Sequence, residues 1–340
     1  MTGGTGFVGG HSIAAIVGAG HRVRLLARRA DAVEQALRPL GVPVGQVDVV
    51  LGDVTDEAAV GAAVAGADAV LHAASVYSFD SRRRAEIRRT NVRGTEVVLD
   101  TAVRAGVRRV VYVSTFGALL PTGGRPLRVD SPVGTAKEPY LVSKADAERI
   151  ARRHQEQGAP VTITYPPGLV GPHDPRLGDQ NARLRDLLRG LMPVWPTGGF
   201  PIGDVRDTAA AHATLLTTAG GPNRCFTPGR YLTTREYVRA VRTVTGRTLP
   251  AVFLPAWPML PLGALVGVVQ RVWPWHIPAE YGAIYTAAAA ARIEADGVPG
   301  RPIEDSMADA VRWLRDTGRL SARAAGSVPA PGSDLLPTLT

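Results

Sequence analysis

The segment YLVSK (140–144) sets a phenol, Tyr140, and an amine, Lys144, four residues apart. On a helix that spacing stacks the two side chains on one face. A tyrosine of ordinary pKa exchanges protons poorly near neutrality unless a neighbouring cation stabilises its phenolate. An ammonium one turn away supplies that cation and can also donate to ligand hydroxyls. Among the 39 Lys and Arg residues only Lys137 and Lys144 are lysines. A compact point charge at 144, in a chain that otherwise uses arginine, reads as a chemical requirement. Upstream, RRVVYVST (108–115) reads as a strand ending in Ser114 and Thr115. A hydroxyl at the carboxyl end of a parallel strand points towards the ligand crevice, and strand-end capping is the plainer role for both.

The start of the chain offers a second pattern. TGGTGFVGG (2–10) spaces Gly3, Gly6 and Gly9 three apart, a pattern that lets backbone N–H groups approach a pyrophosphate at a helix N-terminus. Alone, the pattern is also that of a tight turn. The strand VRLLA (23–27) runs into Arg28 and Arg29 with no carboxylate to bind a ribose 2′-OH. That favours NADP(H), with NAD(H) still possible.

These groups need elements to position them. Apolar runs at 23–27, 47–53, 68–74, 108–115 and 161–165 alternate with helical patterns starting at Asp31, after GDVTD, up to Gly106, and near Tyr140. The alternation predicts an α/β fold, a Rossmann-type doubly wound parallel sheet whose first strand is missing or truncated, since only Met1 and Thr2 precede the loop. The expected division is a dinucleotide-binding domain over 1–165, then a smaller substrate-binding lobe over 166–320 that returns some strands and helices to the first domain. Residues 321–340 are expected to be a disordered tail.

The composition excludes several classes. One cysteine, Cys225, rules out an internal disulfide framework and suits a reducing, cytoplasmic setting; no leader-like segment precedes the loop. The net charge of +9 comes from arginines scattered along the chain, which argues against nucleic-acid binding. The seven histidines show no ligand-like spacing, so no metal site is expected, and His72 reads as structural. Residues 248–270 carry no charge, but four prolines interrupt them. No stable membrane span is expected; an apolar wall of a substrate pocket, or shallow membrane contact, fits better.

Taken in order, TGGTGFVGG, GDVTD, LHAAS, NVRGT, YVST, YLVSK, YPPGLVGP and VRDTAAAH resemble the extended short-chain dehydrogenase/reductase superfamily, nearest its dihydroflavonol-reductase-like branch. The resemblance runs from Thr2 to about Leu320 and implies roles for matching positions. Thr115 would hold the substrate oxygen, with Ser114 its competitor; Tyr140 would transfer the proton; Lys144 would bind the nicotinamide ribose and lower the tyrosine pKa. Asn91 would support the active-site helix and sometimes a proton relay. Gly3, Gly6, Phe7 and Val8 would line the pyrophosphate, Arg28 the adenosine ribose, Asp53 and Val54 the adenine, Ala73 and Ala74 the cofactor ribose, and Pro166 the carboxamide.

The implied activity is interconversion of a carbonyl and a secondary alcohol on a small molecule, and a homodimer is common in the superfamily. The Trp-rich segment 256–275 favours an apolar ketone, sterol-like or aromatic substrate. A nucleotide-sugar epimerase or dehydratase is the alternative, weakened by Gly168 where epimerases often carry a polar residue; a non-catalytic dinucleotide sensor is a second. Superfamily members also carry an apolar strand ending in Val-Thr-Gly where this chain reads Met-Thr-Gly. We therefore expect Met1 to be an internal valine read as a start, with a truncated start as the alternative.

Overall fold

The computed structural model describes residues 1–77, 83–218, 221–269, 281–290, 292–293 and 300–328. In the first half, helix α1 (Phe7–Gly18) follows the glycine loop. Then β1 (Val23–Ala27), α2 (Ala30–Leu37), β2 (Val47–Leu51), α3 (Glu57–Val64) and β3 (Ala69–His72) alternate. A single helical rod continues through α4 (Arg84–Arg88), a π-helical turn (Arg89–Arg93) and α5 (Gly94–Arg104). β4 (Arg109–Val113), α6 (Pro139–Glu156) and β5 (Val161–Tyr165) complete this half.

The second half adds β6 (Gly168–Val170), α7 (Asp179–Leu188), β7 (Val194–Pro196), β8 (Gly199–Asp204) and α8 (Val205–Thr217). After these come β9 (Arg224–Phe226), β10 (Arg230–Thr233), α9 (Thr234–Thr245), β11 (Val252–Leu254) and α10 (Ala256–Val269), then α11 (Tyr281–Ala289), α12 (Ile303–Asp316) and α13 (Ala322–Ala325).

The main sheet is parallel. β1 pairs with β2, and β3, β4, β5 and β9 pair in that order. Between these two blocks lies Thr2, bridged to Leu26 on one side and His72 on the other. Its N–H donates to Leu71 O at 3.0 Å, and Leu26 N–H donates to Met1 O at 2.9 Å. Two residues thus hold the centre of the sheet, where a doubly wound fold places its first strand. Along the strands, alternate residues face opposite layers. Leu25, Leu71 and Val111 pack with Ile13 and Val33 of α1 and α2. Leu26, Val70, Val110 and Tyr112 pack with Val98, Leu99 and Ala151 of α5 and α6. Burial on both faces explains why these strands read as continuous apolar runs.

β9 and α8 come from the second half yet belong to this first layer: β9 closes one edge of the sheet, and α8 lies against α1. The remaining strands form a mixed sheet, β6–β8–β10, and a two-stranded parallel pair, β7–β11. The α9 start is fixed by a reciprocal cap between Thr233 and Glu236. Of the uncharged segment 248–270 read as an apolar wall, Val252–Leu254 form β11 and Ala256–Val269 form α10, interrupted by Pro261; residues 270–275, the end of the Trp-rich segment, lie outside the described residues. Among the described residues no helix is long and apolar enough to cross a membrane. Within the segment read as a tail, α13 buries Ala325, and 329–340 lie outside the described residues.

Candidate active site

The glycine loop is packed against the end of β3 so closely that side chains are excluded. Gly3 has φ +77°, and a Cβ there would stand 2.5 Å from the carbonyl carbon of Ala73. At Gly9 a Cβ would stand 2.1 Å from Gly3 O. Ala73 N–H donates to Thr2 O and Ala74 N–H to Thr2 Oγ1, both at 3.3 Å, which draws Ala73 and Ala74 alongside the loop. Gly6 is the N-cap of α1, with no side-chain cap and no acidic residue in the first turn. The positive end of α1, at Phe7 and Val8, is therefore available to an anion. The residues suit a pyrophosphate: the loop packs too closely for a side chain at Gly3 or Gly9, and the first turn of α1 has no side-chain cap.

At the end of β1 the two arginines differ. Arg29 is engaged by Asp31 through two guanidinium nitrogens. Arg28 is exposed and makes no hydrogen bond or ion pair with the described residues. Asp53, near them, accepts from Thr55 N–H (3.0 Å) and Thr55 Oγ1 (2.7 Å). Burial opposes its ionisation, but those bonds and the charges of Arg28 and Arg89 hold its carboxyl below the usual range. Val54 beside it is buried.

Two turns shape the other end of the cleft. Thr115 leaves β4 and caps a short 3-10 turn (Phe116–Leu119), its Oγ1 accepting from Gly117 N–H at 3.2 Å. One lone pair is used and the hydroxyl proton remains to be donated. Phe116 N–H donates to Pro166 O, which brings Pro166 alongside. Ser114 is 5% exposed, and its Oγ meets no hydrogen-bond geometry among the described residues. Glu138 caps α6, accepting from Leu141 N–H at 2.8 Å, and Pro139 opens the helix, so Tyr140 enters at its second position. The Tyr140 ring meets Tyr77 edge-on at 4.7 Å. Burial, then the charges of Glu138 and Asp179, push its phenol far above its ordinary value.

Lys144 is 3% exposed and donates to Val113 O (3.0 Å) and Tyr112 Oη (3.3 Å). Burial lowers its pKa to about 8, with Glu148 acting the other way. Tyr140 and Lys144 thus share a helix face, opposite the carboxyl ends of β4 and β5, as the spacing implied.

Asn91 is 1% exposed in the π-helical turn and makes four side-chain bonds. Its Nδ2 donates to Val76 O (3.0 Å) and Ser143 Oγ (2.9 Å). Its Oδ1 accepts from Val76 N–H (2.7 Å) and Ser75 Oγ (3.1 Å). The amide therefore ties the segment after β3 to α6, one residue before Lys144. π turns are a frequent accommodation at functional sites, and this one turns Asn91 inward. His72 bridges Thr2 Oγ1 (2.7 Å) and Thr95 Oγ1 (3.1 Å). Burial pushes its pKa down to about 3, so it stays neutral and joins elements. Sequence reasoning passed over Tyr112, Ser143 and Glu148. The last of these lies four residues beyond Lys144, at the same helical spacing that singled out Tyr140.

Comparison with known proteins agrees with this geometry. Residues 1–227 match the NAD dependent epimerase/dehydratase family. A protein of Synechocystis sp. named "Putative dihydroflavonol 4-reductase" is 30% identical over 339 residues, covering 94% of each chain. Sterol demethylase protein B of Methylococcus capsulatus is 28% identical over 333 residues, covering 94% of this chain and 99% of that one. The fold also matches a double mutant of DesIV, a dTDP-glucose 4,6-dehydratase from Streptomyces venezuelae solved with NAD bound. Its TM-score is 0.70 at 23% identity, covering 95% of this chain and 98% of that one. With its glycine loop, parallel sheet and Tyr140–Lys144 helix, the chain belongs to the NAD-dependent epimerase/dehydratase family of extended short-chain dehydrogenases/reductases and is built around a nicotinamide dinucleotide.

Proposed function

We propose that the protein is an NADP(H)-dependent reductase that interconverts an apolar ketone and its secondary alcohol. The observation that carries this reading is the buried Tyr140–Lys144 pair on α6, with Lys144 bonded to Val113 O at the end of β4, two residues before Thr115. The bound cofactor supplies the hydride. Thr115 donates a hydrogen bond to the carbonyl oxygen. Tyr140 gives that oxygen its proton, and the Lys144 ammonium lowers the cost of the phenolate left behind. Lys144 also keeps one N–H, beyond those given to Val113 O and Tyr112 Oη, for the nicotinamide ribose. Thr115 is preferred to Ser114 because Ser114 is buried and Thr115 is only partly covered. Asn91 holds the helix that carries the pair.

The preference for NADP(H) rests on Arg28, an exposed cation at the end of β1 that makes no hydrogen bond or ion pair with the described residues. Arg28→Ala is expected to weaken NADPH binding roughly 10- to 100-fold, as the loss of a charge-assisted bond costs about 1.5–3 kcal/mol. NADH binding should stay unchanged. Titrating both cofactors by fluorescence checks this; equal losses for both would remove Arg28 from the 2′-phosphate.

An apolar substrate is supported by the relatives named as a dihydroflavonol reductase and a sterol demethylase protein. A nucleotide-sugar epimerase or dehydratase is the second reading, and the DesIV likeness keeps it open at the level of fold. Gly168 argues against it, offering no polar side chain on β6. NADPH oxidation measured against ketones, aldehydes and nucleotide sugars separates the two. Net oxidation with ketones supports a reductase; sugar conversion without net oxidation overturns it.

A further inference from the structure

The helix face that carries Tyr140 and Lys144 carries a third ionisable side chain, Glu148, one turn further on. Glu148 is fully buried. Its Oε1 accepts from Tyr165 Oη at 2.5 Å and pairs with Arg152 Nε at 2.9 Å. Its Oε2 is buried without a hydrogen-bond partner. Lys144, also buried, forms no ion pair among the described residues; both of its acceptors there, Tyr112 Oη and Val113 O, are neutral. An ammonium in such a place tends to shed its proton unless an anion lies close.

The other groups facing this helix do not supply that anion. On β3, His72 is neutral. On β4 and β5, Tyr112 and Tyr165 are phenols that burial keeps protonated. Asn91 of the π turn is uncharged. On α4, Glu86 pairs with Arg83; on α5, Glu96 pairs with Arg93, and Asp100 pairs with His154 at the far end of α6; on α6 itself Asp146 pairs with Arg149. Glu138 caps the helix on the other side of Tyr140. Arg152 is a second cation beside Glu148, not an anion.

We propose that Glu148 is the buried counter-charge that keeps Lys144 in its ammonium form, a positioning residue that acts through Lys144 and touches neither substrate nor cofactor. Its consequence for binding rests on the reading of Lys144 as the cofactor lysine; its hold on the Lys144 proton does not.

Because the chain has two lysines, NMR of protein labelled with ¹³C at the lysine ε-carbon reads Lys144 directly, with Lys137→Arg assigning the other resonance. Glu148→Gln keeps an acceptor for Tyr165 and Arg152 and removes the charge. The Lys144 midpoint, near 8 in the unmodified protein, is expected to fall by about one unit or more. NADPH affinity should fall roughly tenfold at pH 9 and little at pH 6, where either protein has a protonated Lys144. Tyr165→Phe, which removes a bond to the carboxylate but not its charge, should leave the midpoint in place.

An unmoved midpoint in folded Glu148→Gln, or an equal shift in Tyr165→Phe, overturns the proposal. A lowered midpoint with unchanged NADPH affinity at pH 9 upholds the counter-charge and instead overturns the role of Lys144 at the cofactor. Should Glu148→Gln not fold, Arg152→Gln decides. It removes the guanidinium that shares the carboxylate, so Lys144 must titrate higher; an unmoved or lowered midpoint overturns the proposal.

Discussion

Replacing Tyr140 with phenylalanine is expected to cut ketone turnover about 10³-fold, the usual worth of a well-placed general acid. The change deletes the transferable proton and keeps the ring, whose edge-on contact with Tyr77 at 4.7 Å persists. Lys144 keeps its bonds to Val113 O and Tyr112 Oη, because neither involves the Tyr140 phenol. NADPH affinity and Tm should therefore stay close to those of the unmodified protein. Steady-state kinetics beside a cofactor titration make the distinction. A fall in kcat with intact binding supports the assignment, and substantial residual turnover would assign the proton to another group.

The second large effect is expected at the glycine loop. Gly3→Ala combines a left-handed backbone, φ +77°, with a Cβ placed 2.5 Å from the Ala73 backbone, which cannot swing aside as a flexible side chain could. Strain of about 3 kcal/mol corresponds to roughly a hundredfold in affinity if it falls on the loop's ligand-binding geometry. NADPH binding should drop by at least that factor, and Tm should fall with it. Gly18→Ala is the control: a Cβ there meets nothing within 4 Å, and alanine favours the helix. Equal cofactor binding in Gly3→Ala and Gly18→Ala would show that the loop does not cradle the pyrophosphate.

Much of the sheet was legible because its strands are buried on both faces. VRLLA and VTITY became β1 and β5 at the expected residues, and Tyr140 and Lys144 fell on one helix face. What was not legible depended on contacts distant in sequence. Nothing local in RCF (224–226) says that it pairs with β5, or that α8 packs on α1. The π-helical turn at Arg89–Arg93 is another case. Periodicity predicted one long helix, while the four bonds of Asn91 to Ser75, Val76 and Ser143 accompany an extra residue in the turn.

The short centre of the sheet was legible too: with only Met1 and Thr2 ahead of the glycine loop, Thr2 alone pairs with both neighbours there. Within the site, the choice between Ser114 and Thr115 could not come from adjacent hydroxyls in a row. It is the burial of the first and the half-used oxygen of the second that separate them. Glu148 was within reach of the same i, i+4 reasoning that picked out Tyr140 and Lys144, but a lone glutamate on a helix ordinarily reads as a solvated side chain. Only its complete burial marks it.

The most direct test of the account follows the hydride itself. The protein is incubated with NADPH deuterated at the transferable C4 position and an apolar ketone, and the alcohol is analysed by mass spectrometry. The account predicts one deuterium on the carbinol carbon for each NADP⁺ formed, with transfer lost in Tyr140→Phe. Deuterium appearing in no alcohol, with nucleotide sugars converted while the cofactor pool stays unchanged, would contradict it.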